Sequence, residues 1–334
     1  LRDWSECMQT SVIAQRYRST AALILSCVPA SLAFCPSDSL VHRGPLLRKG
    51  GNGAPLLCFA NSRNAFGASS STSRGLAVMA AKSSLPFDPE SGSLDDKKHF
   101  PIDTSKLGDL TKVPEGMTPV VLLACGSYSP PTVMHMRIFE TARDHFRSMA
   151  DSLKMEVVGG FVCPVHPAYG KKGLAPADDR VEMVRRSLAS SEWVSVEDWE
   201  VKQGEWTRTR LSLDRMHMEI EKVPGGKGAR VMLLCGADIL DSMVTPGVWM
   251  EADLRGILSR GIVCIKRAGS DPEKLIQEND LLYEYRDRII LVREWVENNV
   301  SSTAVRRAVK RKMSIRYFVA DGVLDYIEER GLYK

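Results

Sequence analysis

The chain places a histidine just behind a tight turn, where it could bind a phosphate group. An apolar run at 120–125, VVLLAC, ends at Gly126, and two prolines, Thr132 and His135 follow within ten residues. This order predicts a buried strand, a sharp turn and a helix that begins near Thr132. The free amides and positive dipole end of such a helix attract anions, and His135 would lie on its first turns. A lone histidine here is more often structural, so other motifs must decide its role.

Two further polar groups could neutralise phosphate charge. Lys171 and Lys172 stand in a glycine-flanked loop, and Thr303 and Arg306 are three residues apart in segment 300–307, VSSTAVRR. Each group taken alone is more typical of a solvated loop or helix face than of a binding site. Their meaning therefore depends on the motifs around them.

Two separated segments resemble the nucleotidyltransferase superfamily. Residues 126–135, GSYSPPTVMH, are similar to its phosphate-binding motif, with Thr132 and His135 at the ends, and 300–307 resembles its S-x-T-x-x-R signature. Tyr128 and Ser129 stand where one branch of the superfamily usually has Phe and Asn, which leaves the hydrogen bonds of the turn open. Two motifs in the right order rarely arise by chance, so the resemblance is specific.

The branch is that of the eukaryotic nicotinamide/nicotinate mononucleotide adenylyltransferases. The resemblance covers 119–334, and between the two motifs it includes YGKKGL at 169–174, EWTRT at 205–209, LCGAD at 234–238, VW at 248–249 and KRAG at 266–269. It implies transfer of AMP from ATP to the 5′-phosphate of nicotinamide or nicotinate mononucleotide. The products would be NAD or its nicotinate analogue and pyrophosphate, as in NAD biosynthesis.

Such a reaction asks the protein to bring two polyanions together and to neutralise them. Positioning and electrostatic stabilisation then supply most of the catalysis by direct in-line displacement, and no protein nucleophile is needed. Mg²⁺ is expected with ATP. Because magnesium keeps much of its water shell and binds through substrate phosphates, no protein metal ligand is predicted.

The resemblance implies two binding sets that share the turn after the first strand, with His135, Lys172 and Arg306 as catalytic residues. The ATP-binding set is Gly126, Ser127, Tyr128, Thr132, His135, Lys172, Thr303 and Arg306. The pyridine-nucleotide set is Ser127, Tyr128, Lys171, Trp206, Thr209, Gly236, Asp238, Val248, Trp249, Arg267 and Asn298.

Aromatic and acidic members of the second set have competing roles. Trp206 and Trp249 could stack on the pyridine ring, a contact worth roughly 1–3 kcal/mol for a base on an aromatic face, or could be core residues. Trp193 and Trp199 are assigned to the core. Asp238 could bind ribose hydroxyls at a strand end or cap a helix.

The elements that must position these residues form an α/β pattern: a Rossmann-like, doubly wound, mainly parallel sheet with a small C-terminal helical part. The predicted strands are 120–125, 156–163, 193–196, 230–235, 262–266 and 289–292. The predicted helices are 132–149, 178–190, 207–221, 248–259, 303–312 and 319–330. The catalytic domain is placed at 115–334, with 300–334 as its helical part, and 1–100 is predicted to be a disordered extension.

That extension carries the basic excess of the chain. Residues 1–87 hold nine Lys or Arg against three Asp or Glu, whereas 88–334 hold 36 basic and 38 acidic residues. Nucleic acid is therefore not an expected partner. An apolar stretch at 21–34, too short to span a membrane, is followed by a basic, Ser-rich segment. This layout favours targeting to a plastid or other organelle, with a disordered tail in a cytoplasmic or nuclear protein, or a mistaken gene start, as the alternatives.

Other functions remain open at this point. A pantetheine-phosphate or cytidylyl transferase is the alternative within the superfamily, although Trp206, Thr209 and Trp249 argue against it. A nucleotide-binding or chaperone-like module without turnover is the alternative from another class. The preference between the two mononucleotides and a homo-oligomeric state are not determined by the sequence. Cys125, Cys163, Cys235 and Cys264 lie in strand-like runs and are expected to be reduced, buried residues.

Overall fold

The computed structural model describes residues 93–334 except Ala268 and Glu297, so the predicted extension lies almost wholly outside the described residues. Within them, six parallel strands form one sheet in the order β3-β2-β1-β4-β5-β6. Each predicted strand is found with only small shifts at its ends. The strands are β1 (Thr118–Gly126), β2 (Met155–Pro164), β3 (Val194–Val196), β4 (Arg230–Gly236), β5 (Ile262–Lys266) and β6 (Ile289–Arg293).

Helices cover both faces of the sheet, because its central strands are apolar on both sides. Val120 to Leu123 of β1 are fully buried, as a strand between two helical layers must be. The described helices are α1 (Val133–Ser148), α2 (Ala150–Leu153), α3 (Ala177–Ser187), α4 (Thr209–Glu221), α5 (Ala237–Met243), α6 (Glu251–Arg260), α7 (Pro272–Gln277), α8 (Asp280–Glu284), α9 (Ser302–Lys310) and α10 (Asp321–Arg330).

Two apolar clusters lie on opposite faces of the sheet. Phe139 and Phe146 of α1 and Val184 of α3 pack on one face, whereas Leu213 of α4 and Ile257 of α6 pack on the other. The predicted doubly wound fold is confirmed. A third cluster joins the C-terminal helices to α3 and consists of Ala175, Met183, Val305, Ile315, Val319, Val323, Leu324 and Ile327.

The helical predictions differ from the structure in two respects. The helix predicted from Val248 begins only at Glu251, because Gly247 adopts a left-handed conformation with φ +76° and the turn is closed by a bond from Val248 N to Thr245 O. The short helices α2, α5, α7 and α8 were not predicted, since four to seven residues are too few to show a helical period. No helix within 93–334, leaving aside the two residues not described, is long and apolar enough to cross a membrane.

The strand order places the site. The chain winds outward from β1 in both directions, and β1 and β4 are neighbours at the point where the order reverses. Ligands of open parallel sheets bind at the carboxyl ends of such strands. β1 ends at Gly126 and β4 ends at Gly236, so both predicted glycines flank this crevice.

Candidate functional site

The turn after β1 is built around a buried tyrosine. Tyr128 is 4% exposed, adopts a left-handed φ of +42°, and donates a 2.9 Å hydrogen bond from its hydroxyl to Ala124 O. Its ring meets that of His135 edge-on at 5.3 Å between centroids. A Cβ at Gly126 would lie 3.2 Å from the tyrosine ring, so glycine permits the close approach. The buried Tyr128 side chain thus supports the turn.

His135 is held in one tautomer at the start of α1. Thr132 N donates to its Nδ1 at 2.9 Å, and Thr132 Oγ1 lies 2.7 Å from the same atom. Because Nδ1 accepts, the proton of the neutral ring is on Nε2, which becomes a donor. Burial, with smaller effects from the charges of Arg267 and Lys171, lowers the pKa of His135 to about 4. The histidine is therefore neutral at pH 7 and presents an N–H where the helix begins.

Two cations from distant segments meet beside it. Arg306 on α9 donates to Ser129 O at 2.8 Å and to Thr303 Oγ1 at 3.2 Å. Burial lowers the pKa of Arg306, and burial together with the charge of Arg306 lowers the pKa of Lys171, against an opposing effect of Asp238. Partly desolvated cations that repel one another are stabilised when an anion binds between them. The arrangement fits a polyphosphate.

A carboxylate and a guanidinium stand near Gly236 at the end of β4. A Cβ at Gly236 would lie 2.6 Å from Asp238 Oδ1 and 4.0 Å from Arg267 Nε, so the glycine leaves room for both. Gly236 is itself the N-cap of α5, and Asp238 lies in the first turn. The helix-capping alternative for Asp238 is therefore wrong. Its exposed carboxylate remains available to bind hydroxyl groups.

The aromatic pair of the pyridine set lies in two different settings. Trp206 is 42% exposed in the loop before α4, which excludes a core role, and Thr209 begins that helix. Trp249 is half-buried; its Nε1 donates to Ser242 Oγ at 3.0 Å and its ring packs against the core. Val248 precedes it in the same turn, half-buried. A stacking surface at Trp206 and a fixed wall at Trp249 are the roles that these settings allow.

Other predicted residues are placed less tightly. Lys172 is exposed beside the half-buried Lys171, so the structure favours Lys171 as the inward lysine of the pair. Thr303 is exposed on the first turn of α9. Ser127 O accepts a hydrogen bond from Arg180 at 3.2 Å. Asn298 is exposed, and its Oδ1 accepts from Val300 N at 2.8 Å, which shapes the approach to α9.

Sequence reasoning missed Arg180, a buried arginine beneath the site. It donates to Ser127 O at 3.2 Å, Val165 O at 2.7 Å and Ala175 O at 3.1 Å, and so joins the loops that follow β1 and β2. Burial lowers its pKa, although Glu200 opposes that effect. An arginine on a helical segment gives no sequence signal of this role.

Tyr333 was also missed, and it explains the unusual Ser129. The two hydroxyl oxygens are 2.9 Å apart, and Ala175 N donates to Ser129 Oγ at 3.0 Å. Burial raises the pKa of Tyr333 to about 12. The serine at the position of the family's asparagine thus has two hydrogen-bond partners, the Tyr333 hydroxyl and Ala175 N.

One group of potential metal ligands occurs within the described part of the chain. A ligand atom from each of Cys125, Cys163 and Glu200 lies within 4.8 Å of the others. Glu200 already accepts a hydrogen bond from His166 N at 3.0 Å. The pKa of the Cys163 thiol is raised, mainly by a hydrogen bond with the Cys125 thiol and also by burial. Buried thiols do not suit magnesium, which binds oxygen ligands. These three residues are therefore not a magnesium site.

Comparisons with known proteins show what the chain is similar to. The Cytidylyltransferase-like family matches residues 123–308. The chain is 42% identical over 238 residues to nicotinamide/nicotinic acid mononucleotide adenylyltransferase of Arabidopsis thaliana, covering 70% of this chain and 97% of the relative. It is 41% identical over 240 residues to nicotinamide-nucleotide adenylyltransferase of Drosophila melanogaster, covering 64% of this chain and 61% of that longer protein. A solved Plasmodium falciparum nicotinic acid mononucleotide adenylyltransferase aligns with 64% of this chain and 96% of that chain, at 16% identity and a TM-score of 0.47.

Proposed function

The chain belongs to the eukaryotic nicotinamide/nicotinic acid mononucleotide adenylyltransferase family, and from that premise we propose that it transfers AMP from ATP to a pyridine mononucleotide. The 5′-phosphate of the mononucleotide attacks the α-phosphorus of ATP, the bond to the bridging oxygen breaks, and pyrophosphate leaves. The product is NAD from nicotinamide mononucleotide, or its acid analogue from nicotinate mononucleotide. The charge of both substrates must be neutralised for this attack to occur.

The observation that carries the proposal is the convergence of three donors at the end of β1. His135 offers a neutral N–H, and Lys171 and Arg306 offer positive charges. Burial lowers the pKa of both cationic side chains, and the charge of Arg306 lowers that of Lys171 further. Donors fixed before the substrate arrives need no reorganisation in the transition state, and this is the largest contribution in many enzymes. The Nε2 proton of His135 then stabilises charge on the phosphates without acting as an acid.

The pyridine part of the substrate is assigned to Trp206 and to the residues near the end of β4. The exposed ring of Trp206 offers a stacking face, and Asp238 offers a carboxylate for ribose hydroxyls. Arg267 stands near the same glycine as that carboxylate and can bind a phosphate group of the nucleotide. This pairing of an aromatic face with a ribose-binding carboxylate favours a nucleotide acceptor over phosphopantetheine.

Family members that use ATP generally need a divalent cation, and we assign that role to Mg²⁺. A bound cation would offset the negative charge of the ATP phosphates. Thr303 and Arg306 at the start of α9 are the residues that would hold those phosphates.

A panel of acceptors tests the assignment. The full-length protein is incubated with ATP and magnesium, and pyrophosphate release is measured with nicotinamide mononucleotide, nicotinate mononucleotide, phosphopantetheine and, with CTP, choline phosphate. We expect release with the two pyridine mononucleotides. Release only with phosphopantetheine or choline phosphate would overturn the assignment, and binding of ATP without release would support a module that lacks turnover.

The location and assembly of the protein are separate proposals. We propose that residues 1–100 direct the chain to a plastid or another organelle, and that the enzyme forms a homo-oligomer. Fusion of this segment to a fluorescent reporter tests the first, and diffuse cytosolic fluorescence would refute it. Light scattering of the purified protein tests the second.

A further inference from the structure

A short segment before the first strand lies against the loop that carries Trp206. Lys97 Nζ forms an ion pair with Glu205 Oε1 at 2.5 Å, directly beside that tryptophan in the chain. The lysine side chain is 5% exposed and the glutamate side chain 65% exposed. A lysine is rarely buried to this extent unless it is paired, so the contact fixes the position of residues on both sides.

The backbone of Lys98 forms a second connection to the same loop. Its N–H donates to Gln203 Oε1 at 3.0 Å, and its carbonyl accepts from Gln203 Nε2 at 3.2 Å and from Trp199 Nε1 at 2.6 Å. The Gln203 amide thus pairs with both polar groups of one peptide residue. Trp199 is almost fully buried, so this side of the loop is tied to the core.

Phe100 completes the segment and anchors it. Its carbonyl accepts from Arg215, which forms a buried ion pair with Glu197 at 2.8 Å. Lys202 Nζ lies 5.5 Å from the centre of the Phe100 ring. Residues 97–100, here called the N-terminal strap, therefore contact the loop at several points between Glu197 and Glu205.

The loop is also bound from its other side. His166 Nδ1 accepts from Ala168 N at 3.1 Å, which leaves Nε2–H to donate to Gln203 O at 3.1 Å. His166 belongs to the segment after β2 that leads to Lys171. Gln203 consequently lies between the strap and the segment that brings a phosphate-binding lysine into the crevice.

We propose that the N-terminal strap is a positioning element for the pyridine mononucleotide, an inference that rests on the proposed function. Residues 201–206 lie outside the helices and strands, and the strap holds Gln203 and Glu205, the latter directly before Trp206 in the chain. These contacts are made before the substrate binds, and an ordered loop loses less conformational entropy on binding. The effect of the strap falls on affinity for the mononucleotide, because the strap touches none of the groups assigned to ATP.

Steady-state kinetics of full-length variants test the proposal. Lys97→Met and Glu205→Gln each remove one charge of the pair, and the charge-swapped double variant Lys97→Glu/Glu205→Lys restores it. Glu205→Gln changes a mostly exposed side chain, so its folding is secure. Lys106→Met is the matched control, because Lys106 also precedes β1 but donates to Leu188 O at the end of α3, away from the loop.

We expect each single strap variant to raise KM for the mononucleotide about threefold to tenfold, the scale of one charged hydrogen bond. KM for ATP and kcat should stay within about twofold, the double variant should recover part of the loss, and Lys106→Met should match the wild type. A lower melting temperature with unchanged KM, or equal effects on both substrates, would overturn the strap's role. A wild-type protein inactive with both mononucleotides would instead refute the proposed function, and the strap proposal with it.

Discussion

Replacement of His135 separates phosphate stabilisation from helix capping. His135→Ala removes the Nε2 donor and also the Nδ1 acceptor that receives the Thr132 N–H at 2.9 Å. Loss of one preorganised donor costs on the order of 10²–10³ in kcat. Loss of a capping contact costs about 1 kcal/mol of stability. The variant should therefore be folded, slightly less stable and nearly inactive.

His135→Glu is the matched control. A glutamate at this third helical position can reach back to the Thr132 N–H as the histidine does, and its charge suits the helix N-terminus. It should keep or improve the melting temperature, yet it places a carboxylate against the substrate phosphates. Activity should fall at least as far as in His135→Ala. The assay compares kcat and thermal unfolding for the wild type and both variants.

The pH dependence of stability gives an independent readout. The folded-state pKa of His135, about 4, lies below its ordinary value of 6.5. The stability that comes from a neutral ring is thus complete above pH 6.5 and is lost as the pH falls towards 4. The stability difference between wild type and His135→Ala should shrink over this interval and then change sign, because the lowered pKa outweighs a capping contact of about 1 kcal/mol. Near-normal kcat in His135→Ala, or a domain that no longer folds, would show that the histidine is a core residue and refute the reasoning.

Three further predictions concern the neighbours of this centre. Trp206→Ala should raise KM for the mononucleotide roughly 5- to 150-fold, the equivalent of losing about 1–3 kcal/mol of stacking, and leave KM for ATP nearly unchanged. Equal weakening of mononucleotide and ATP binding would refute the stacking role. Gly236→Ala should displace Asp238, which a Cβ would approach to 2.6 Å, and weaken mononucleotide binding, whereas Gly322→Ala in α10, where a Cβ would meet its nearest atom at 3.4 Å, should be neutral in the same titration. Arg180→Met should lower the melting temperature by roughly 4–24 °C, because two buried carbonyls lose a donor at about 1–3 kcal/mol each and a third, partly buried carbonyl loses one as well, and an unchanged melting curve would contradict that role.

The sheet was predictable because its strands are short, continuous apolar runs. Val120 to Leu123 are buried on both faces, and a continuous apolar run of this length is typical of a strand between two helical layers. The crevice followed from the same pattern, since Gly126 and Gly236 end two of these runs and neighbouring parallel strands end on one edge. Short helices such as α7 and α8 were not predicted, because their ends are set by local capping residues rather than by a repeating apolar pattern.

Contacts between distant segments could not be predicted from the sequence. Nothing in the pattern distinguishes Lys171 from Lys172, and only the fold makes one half-buried and the other exposed. Arg180 resembles a surface residue of an amphipathic helix until the loops it joins are known. The strap lies in a stretch that composition alone assigns to the extension, and its contacts with Glu205 span 108 residues of chain. Long-range polar pairing of this kind has no periodic signal.

The central claim is that the protein passes AMP directly from ATP to a pyridine mononucleotide, and labelled ATP tests it most directly. The full-length protein is incubated with magnesium, nicotinamide mononucleotide and ATP that carries the label in its α-phosphate, and the protein, nucleotides and pyrophosphate are separated. The account predicts that the label moves into the dinucleotide in amounts equal to the pyrophosphate released, with none bound to the protein. Label retained on the protein, or pyrophosphate formed without labelled dinucleotide, would contradict it.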